Sequence, residues 1–180
     1  MTDTTGLPAG ADCIHDAAAV TGALQRMSEE INERIAPGVP ARLLTIMNGG
    51  MLTAGRLAPL LHSDLTFDYL HATRYHAEKG AETVRWHARP RDSLKDQTVL
   101  LVDDILDEGY TLKVVQQFVR EAGARSVLTA VLAEKLHDRR AAGVSADVIG
   151  LTVPDVYVFG MGMDFRGRLR QLDAIYGLPA

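Results

Sequence analysis

The residues of this sequence most suited to chemistry are four carboxylates within six positions, Asp103, Asp104, Asp107 and Glu108. Because like charges this close repel one another, the cluster costs free energy unless a cation or a polyol offsets it. Gly109 and Thr111 follow and lead into a helical pattern. A simple alternative is therefore a solvated turn, whose acids are favoured by the dipole at a helix N-terminus.

Two kinds of phosphate chemistry use acids at this spacing. The pattern Asp-Asp-x-x-Asp is also the Mg²⁺-binding motif of prenyl diphosphate synthases, where it lies inside a helix and is paired with a second copy. Here it follows the apolar run 99–102 and has no second copy, which argues against that interpretation. In a sugar-phosphate site, two adjacent acids accept hydrogen bonds from ribose hydroxyls. Backbone N–H groups of residues 107–111 and a helix N-terminus would then bind a phosphate.

The elements that would position this cluster alternate between strands and helices. Residues 98–102 are continuously apolar, as in a strand buried on both faces of a sheet. The patterns predict strands at 42–46, 65–69, 83–87, 98–102, 126–132 and, more weakly, 147–149 and 157–159, helices at 20–35, 51–61 and from 112 up to Gly123, and a loop at 76–82. This alternation predicts an α/β fold with a parallel sheet and helices on both sides. Ligands bind such sheets beyond the carboxyl ends of the strands.

The composition excludes several classes of protein. With 180 residues, of which 47% are hydrophobic and 23% charged, the chain fits one domain with a substantial core. A net charge of −4 argues against a nucleic-acid or membrane surface. No apolar run approaches the ~18 residues of a membrane span, and residues 1–12, which we expect to be flexible, do not resemble a signal peptide. The single cysteine, Cys13, excludes a disulfide framework and fits a reducing, cytoplasmic compartment; the six histidines share no zinc-like spacing.

A longer pattern around the acids resembles a known family. In residues 99–111 an apolar tetrad precedes an acid pair, two apolar residues and Asp-x-Gly-x-Thr, which is similar to the phosphoribosyl pyrophosphate (PRPP) motif of type I phosphoribosyltransferases. The resemblance covers residues 15–178 and is nearest to the hypoxanthine-guanine phosphoribosyltransferases. It implies a single domain over 1–180 with a central, mainly parallel, twisted sheet flanked by helices. A small hood from the N- and C-terminal segments would cover the purine site.

Within this motif the resemblance implies a role for each polar residue. Asp103 and Asp104 match the acids that hold the ribose hydroxyls and contribute to a metal site, and Asp107 matches the catalytic carboxylate that accepts the purine N7 proton. The rest of the ribose and 5-phosphate site would consist of Glu108, Gly109, Tyr110 and Thr111. Glu108 departs from the family, where Thr or Ser is common. We expect its side chain to point outward and its backbone N–H to bind.

A second segment, residues 46–50, resembles the family's pyrophosphate loop, whose glycines let backbone N–H groups approach the diphosphate. By analogy, pyrophosphate would be bound by Met47, Asn48, Gly49 and Arg170, and the peptide bond between Met47 and Asn48 would be cis. Asn48 departs from the family, which has Lys or Arg there. The resemblance thus favours a backbone role for this loop over a cationic side chain.

The purine site is implied by two further matches. Lys135 matches the lysine that donates a hydrogen bond to O6 of a 6-oxopurine. A 6-amino group is itself a donor and cannot accept this hydrogen bond, so the match favours hypoxanthine or guanine over adenine. In the segment 153–165, Tyr157 matches the aromatic residue that stacks on the base, and Val158 and Met163 complete the purine contacts. Asp164, in the same segment, matches a carboxylate that binds a second Mg²⁺.

Arg74 and Tyr75 begin a polar stretch and align with the Ser-Tyr of the family's mobile loop. Tyr75 fits this pattern and Arg74 departs from it. The implied function is a lid that closes over PRPP and excludes water.

The resemblance implies a purine salvage enzyme that transfers the 5-phosphoribosyl group from PRPP to hypoxanthine or guanine. The products would be IMP or GMP and pyrophosphate, the cofactor Mg²⁺, and the assembly a homodimer or homotetramer, with no nucleic-acid or membrane partner. Alternatives are a xanthine-preferring or other type I phosphoribosyltransferase, and a regulator that senses PRPP or nucleotide on the same fold without turnover.

Overall fold

A computed structural model of the protein describes residues 6–76 and 82–178, which form two β-sheets and three α-helices. In chain order the elements are β1 (Asp12–His15), α1 (Ala17–Arg34), β2 (Pro40–Met47), α2 (Gly50–Leu57), a 3-10 turn (Ala58–Leu60), β3 (Asp64–His76), β4 (Glu82–Ala88), β5 (Thr98–Leu106), α3 (Tyr110–Glu121), β6 (Ser126–Lys135), β7 (Val148–Val153), β8 (Tyr157–Phe159) and β9 (Ile175–Leu178).

The larger sheet has six strands in the order β4-β3-β2-β5-β6-β7, and all neighbours are parallel except β3 and β4. Helices α1 and α2 cover one face, and α3 covers the other. Successive residues of a strand point to opposite faces, so the continuous apolar runs of β2 and β5 supply both cores. Leu43 and Leu100 belong to the first core, and Leu44 and Leu101 to the second. The predicted α/β architecture is confirmed.

Helix α1 forms where the apolar spacing predicts it. One side is buried through residues three or four positions apart, Val20, Leu24, Met27 and Ile31. The Asp16 side chain accepts a hydrogen bond from the Ala19 backbone N–H at 2.8 Å, which caps the first turn. The helix ends at Arg34, shortly before Pro37 and Gly38.

The acidic cluster begins inside β5, which corrects the predicted strand 98–102. Strand β6 stays paired with β5 as far as Leu106, whereas the pairing of β2 with β5 stops at Val102. Asp103 and Asp104 therefore lie on a part of β5 that has a paired strand on one side only. The apolar pattern could not show this extension, since Asp is depleted in strands. Strand β6 likewise reaches Lys135, which the sequence placed beyond the strand.

Strands β3 and β4 are longer than the predicted strands 65–69 and 83–87. Their antiparallel pairing continues to His76 and Glu82, so Arg74 and Tyr75, which were expected in a lid loop, lie in β3. Residues 77–81, the rest of the predicted loop, lie outside the described residues. A ribbon of two strands needs no buried face along its whole length, and hydrophobic periodicity therefore does not reveal its far end.

The smaller sheet has three antiparallel strands in the order β1-β9-β8 and pairs a segment near the start of the chain with two near its end, the segments in which we expect the hood. Only β8 was predicted, because β1 and β9 have four residues each and are too short for a clear pattern. Asp12 belongs to β1, and residues 1–5 lie outside the described part of the chain, so the flexibility expected over 1–12 stays a prediction. Among the helices of that part, none has the length and apolar character to cross a bilayer.

Gly150 in β7 tests the packing between α1 and the larger sheet. A Cβ there would lie 2.6 Å from Met27 Sδ and 2.8 Å from the Leu132 carbonyl oxygen. Gly150→Ala should lower the free energy of unfolding by about 1–3 kcal/mol, because overpacking forces shifts in side chains and backbone. Denaturant titration measures this change.

Gly55→Ala is the matched control, because Gly55 lies in α2 and a Cβ there meets open space. This substitution should raise the stability by about 0.5–1 kcal/mol, since Ala favours a helix interior over Gly. If Gly150→Ala were as stable as Gly55→Ala, α1 would not pack as closely on β7 as the structure shows.

Candidate active site

Two cavities lie at the carboxyl ends of β2, β5 and β6, where an α/β sheet binds its ligands. The larger has a volume of about 610 Å³ and the smaller about 260 Å³. They share the residues Asp104, Ile105, Asp107 and Arg170. Asp107 is therefore accessible from both cavities.

All sequence-predicted site residues except Tyr75, whose side chain lies outside the described part of the chain, line these cavities. Besides the shared residues, the larger cavity is lined by Met47, Asn48, Gly49, Arg74, Asp103, Glu108, Gly109, Tyr110 and Thr111. The smaller is lined by Lys135, Tyr157, Val158, Met163 and Asp164. The residues implied for PRPP and those implied for the purine thus separate into two adjoining spaces.

The acid pair is held by the backbone of β5. Asp103 Oδ1 accepts from the Asp104 N–H at 2.9 Å, and Asp104 Oδ1 accepts from the Ile105 N–H at 2.7 Å. Burial raises the pKa of both carboxyls, and repulsion by Asp104 raises the pKa of Asp103 further. The pair therefore has an unbalanced charge that a cation or ribose hydroxyls would stabilise.

Two glycines allow three chain segments to meet at Asp104. A Cβ on Gly49, in the loop after β2, would overlap the Asp104 carboxylate. A Cβ on Gly162, in the segment after β8, would overlap the Gly49 carbonyl oxygen and lie 3.2 Å from Asp104 Cβ. The candidate pyrophosphate loop and the C-terminal purine segment are thereby packed against the same carboxylate.

The donor set fits Mg²⁺. This ion prefers oxygen ligands and is ordinarily held by one or two carboxylates together with substrate phosphates and water. Asp103 and Asp104 supply such oxygens beside the larger cavity. Within 6–76 and 82–178, no group of three or more His, Cys, Asp or Glu side chains is arranged to hold a metal by itself.

Asp164 and Arg170 pair with each other between the two cavities. Arg170 Nη2 donates to Asp164 Oδ1 at 2.6 Å, and the Gly167 N–H donates to Asp164 Oδ2 at 2.7 Å. Arg170 Nη1 also donates to the Gly162 carbonyl oxygen. The arginine borders both cavities and is held in place by Asp164 and the Gly162 carbonyl.

The N-terminus of α3 closes one end of the larger cavity. Gly109 precedes the helix with φ of 80°, a left-handed conformation that favours glycine, and a Cβ there would lie 2.6 Å from Val144 Cγ1. The N-terminus of a helix and the loop before it favour an anion through their free N–H groups and the helix dipole, so this end of the cavity suits a phosphate.

We expected the Glu108 side chain to point outward, but in the structure Glu108 lines the larger cavity and its carboxylate is paired. Its carboxylate accepts a hydrogen bond from Arg74 Nη1 and lies 3.8 Å from Arg139 Nε. The Arg74 guanidinium also stacks 4.5 Å from the centre of the Tyr110 ring. Two departures from the family pattern, Arg74 and Glu108, thus compensate each other and join β3 to the loop before α3.

Asp107 is held by two donors. Lys135 Nζ lies 2.6 Å from Asp107 Oδ2, and His137 Nε2 lies 2.7 Å from Asp107 Oδ1. Burial opposes ionisation of Asp107, but these hydrogen bonds outweigh it and keep the pKa of the carboxyl below its usual range. The sequence missed His137, because a lone histidine has no pattern; its place two residues after Lys135 was the only signal.

The smaller cavity combines an exposed aromatic ring with a buried floor. Tyr157 is half exposed, and its hydroxyl donates to the Asp164 carbonyl oxygen at 2.9 Å, while its ring meets Phe165 edge to face. Val158 and Met163 are buried behind it. A planar base can stack on such a ring while Lys135 and Asp107 reach its polar edge.

The loop after β2 has the expected backbone, since the peptide bond between Met47 and Asn48 is cis. His71 and Thr73 on β3 also line the larger cavity, and the sequence did not single them out. The His71 and His87 rings lie 4.5 Å apart, and burial, with His87 nearby, lowers the pKa of His71.

Comparison with known proteins identifies the family. Residues 10–166 match the family model of the phosphoribosyl transferase domain. The chain is 29% identical over 144 residues to the hypoxanthine-guanine phosphoribosyltransferase of Staphylococcus epidermidis, covering 78% of this chain and 79% of the relative. The corresponding protein of Staphylococcus aureus is 27% identical over 158 residues, which cover 84% and 87%. The chain belongs to the phosphoribosyltransferase family.

Solved structures share the fold. A hypoxanthine phosphoribosyltransferase from Staphylococcus aureus superposes with a TM-score of 0.85 at 24% identity, covering 93% of this chain and 90% of that one. A hypoxanthine-guanine phosphoribosyltransferase from Bacillus anthracis gives 0.82 at 20% identity, covering 92% and 96%. The mainly parallel sheet and the smaller sheet formed by the chain ends thus belong to the fold of these proteins.

The buried acid pair leads to a stability prediction. Asp103→Asn keeps an oxygen acceptor for the Asp104 N–H and removes one of two neighbouring carboxylates, of which Asp104 is buried. Without divalent metal at pH 7.5, this variant should be more stable than the parent by about 0.5–2 kcal/mol, as is common when a functional site is relieved of strain.

Denaturant titration measures the difference, and Glu29→Gln is the control because Glu29 is exposed on α1. The control should change stability by less than about 0.5 kcal/mol. A loss of stability in Asp103→Asn would contradict the unbalanced charge at the acid pair.

Proposed function

We propose that this protein transfers the 5-phosphoribosyl group of PRPP to hypoxanthine or guanine. The observation that supports this most directly is the position of Asp107 between the two cavities. On one side lie the acid pair and the α3 N-terminus, which suit a ribose and a phosphate. On the other lie Tyr157 and Lys135, which suit a planar base with a hydrogen-bond acceptor.

The larger cavity would bind PRPP. Asp103 and Asp104 would accept hydrogen bonds from the ribose hydroxyls, and the N–H groups of residues 108–111 would bind the 5-phosphate. The diphosphate would contact the backbone of the loop after β2, with Arg170 at its side. When bound, Mg²⁺ would be held by the acid pair and would neutralise charge on the diphosphate.

The smaller cavity would select a 6-oxopurine. Lys135 donates hydrogen bonds only, so it favours the O6 acceptor of hypoxanthine or guanine over the 6-amino group of adenine. Asp107 would accept the N7 proton as the base attacks C1 of the ribose. Its pKa is below the usual range, so it is a weak base, and positioning must supply much of the catalytic effect.

We also propose that the protein forms a homodimer or a homotetramer. Large apolar side chains are exposed on β3 and α2, with Phe67 67% exposed and Met51 49% exposed, as is common on surfaces that meet a second copy. A cytoplasmic location remains a prediction from the sequence.

A base panel tests the activity. The purified protein is incubated with PRPP, Mg²⁺ and radiolabelled hypoxanthine, guanine, xanthine or adenine, and the nucleotides formed are quantified. We expect IMP, GMP or both, and no product from adenine. Product from xanthine alone would indicate a xanthine-preferring enzyme, and no product from any base would favour a regulator that senses PRPP.

Lys135→Ala tests the purine contact. Loss of a charged hydrogen-bond donor worth about 1.5–3 kcal/mol should raise the KM for hypoxanthine by roughly 10- to 100-fold. The dissociation constant for PRPP, measured by calorimetry, should stay close to that of the parent. Lys95→Ala is the control, since Lys95 is exposed and lies outside both cavities. An unchanged KM for hypoxanthine in Lys135→Ala would contradict the assignment.

A further inference from the structure

The buried side chain of His137 contacts the candidate catalytic carboxylate of Asp107 on the side away from the two cavities. The side chain of His137 is 2% exposed, whereas that of Asp107 is 41% exposed. His137 lines neither of the two cavities, yet its Nε2 lies 2.7 Å from Asp107 Oδ1. The contact thus reaches Asp107 from the protein interior, while Lys135 reaches the other oxygen from the cavity.

The second ring nitrogen defines which tautomer makes this contact. His137 Nδ1 accepts a hydrogen bond from the Arg139 backbone N–H at 3.0 Å. Because Nδ1 uses its lone pair there, the ring hydrogen is on Nε2 and is donated to Asp107. A backbone amide cannot move away at low cost, so this arrangement favours the neutral imidazole as a fixed donor.

The chain segment that carries His137 is anchored independently of Asp107. The Leu136 N–H donates to the Val153 carbonyl at 2.9 Å, and the Ala141 N–H donates to the Glu108 carbonyl at 2.8 Å. Arg139 binds both carboxylate oxygens of Asp155 at 2.8 Å. These contacts hold the segment without using the Asp107 side chain, so His137 can act as a reference point for Asp107.

We propose that His137 is a positioning residue, whose Nε2–H fixes one oxygen of Asp107 so that the other faces N7 of the purine. The inference rests on the proposed phosphoribosyl transfer, in which Lys135 must also contact the purine. Lys135 is on a flexible side chain and can follow the purine, whereas the imidazole cannot. A neutral donor holds the carboxylate while opposing its protonation less than a second cation would.

The charges around Asp107 determine what a substitution at His137 can change. Lys135 faces Asp107 from β6, Arg139 and Glu108 lie nearby as a pair, and Arg170 borders both cavities. Asp155 is held by Arg139. An apolar residue at position 137 leaves all these charges in place and removes one donor to the ionised carboxylate. Loss of that donor should raise the pKa of Asp107.

Three variants separate positioning from simple packing. His137→Phe fills a similar volume without a donor, and His137→Gln places an amide N–H near the position of Nε2. His62→Gln is the control at an exposed histidine outside both cavities. In His137→Phe, kcat should fall by roughly 10- to 100-fold, as expected for a misplaced catalytic group. The KM for PRPP should change little.

The pH dependence of activity distinguishes positioning from a structural role, because a loss of packing alone would not shift it. In His137→Phe the acid limb of kcat/KM for hypoxanthine should move to higher pH, because Asp107 must be ionised to accept a proton. His137→Gln should recover most of kcat and the parental acid limb. A folded His137→Phe with parental kcat and pH profile overturns the proposal, and so does a His137→Gln as impaired as His137→Phe.

A ¹³C NMR titration of the Asp107 carboxyl carbon in the ligand-free protein follows the same contact without turnover. The pKa of Asp107 should be higher in His137→Phe than in the parent and near the parental value in His137→Gln; an unchanged pKa in His137→Phe overturns the proposal.

If His137→Phe does not fold, His137→Leu, which removes the same donor with a smaller side chain, takes its place in these measurements. The titration also distinguishes a wrong role for His137 from a wrong function. If the proposed transfer is wrong, the parent forms no nucleotide, but the titration still reports on the contact between His137 and Asp107.

Discussion

The electrostatic cost of holding Asp103, Asp104 and Asp107 at the end of the central strand β5 organises the whole site. The protein offsets these charges in two different ways. Asp107 has two side-chain donors, Lys135 and His137, whose hydrogen bonds outweigh its burial and lower its pKa. The acid pair is held mainly by backbone N–H groups and remains a poor place for two negative charges. The first arrangement favours the deprotonated form that a proton acceptor needs, although the lowered pKa makes Asp107 a weak base. The second suits a site completed by a cation and a sugar.

The topology of the sheet makes this arrangement possible. Because β2 leaves β5 at Val102 while β6 continues to Leu106, the acids lie in regular backbone beside an open cavity. Gly49 and Gly162 then bring the loop after β2 and the C-terminal segment into contact with Asp104. One buried carboxylate is therefore the point where the candidate sites for ribose, pyrophosphate and purine meet. Substitutions at these glycines would disturb all three sites together.

The sequence predicted the acids, the glycine loop and the α/β order of elements because each is a local pattern of type and spacing. It missed what depends on contacts between distant residues. Arg74 and Glu108 each looked like a departure from the family, and only the fold shows that they pair across β3 and the loop before α3. His137 carried no pattern, since its importance lies in its contact with Asp107. The ends of β5 and β6 were placed too early, because hydrophobic periodicity stops where polar residues of a site continue the strand.

The most direct test is a crystal structure of the protein with IMP, pyrophosphate and Mg²⁺. We expect Lys135 Nζ to lie within hydrogen-bond distance of the base O6 and the Asp107 carboxyl group to face N7. We also expect that His137 still donates to Asp107 and that the ribose hydroxyls contact Asp103 and Asp104. A nucleotide bound with its base away from both Lys135 and Asp107 would show that neither residue contacts the purine and would contradict their proposed roles.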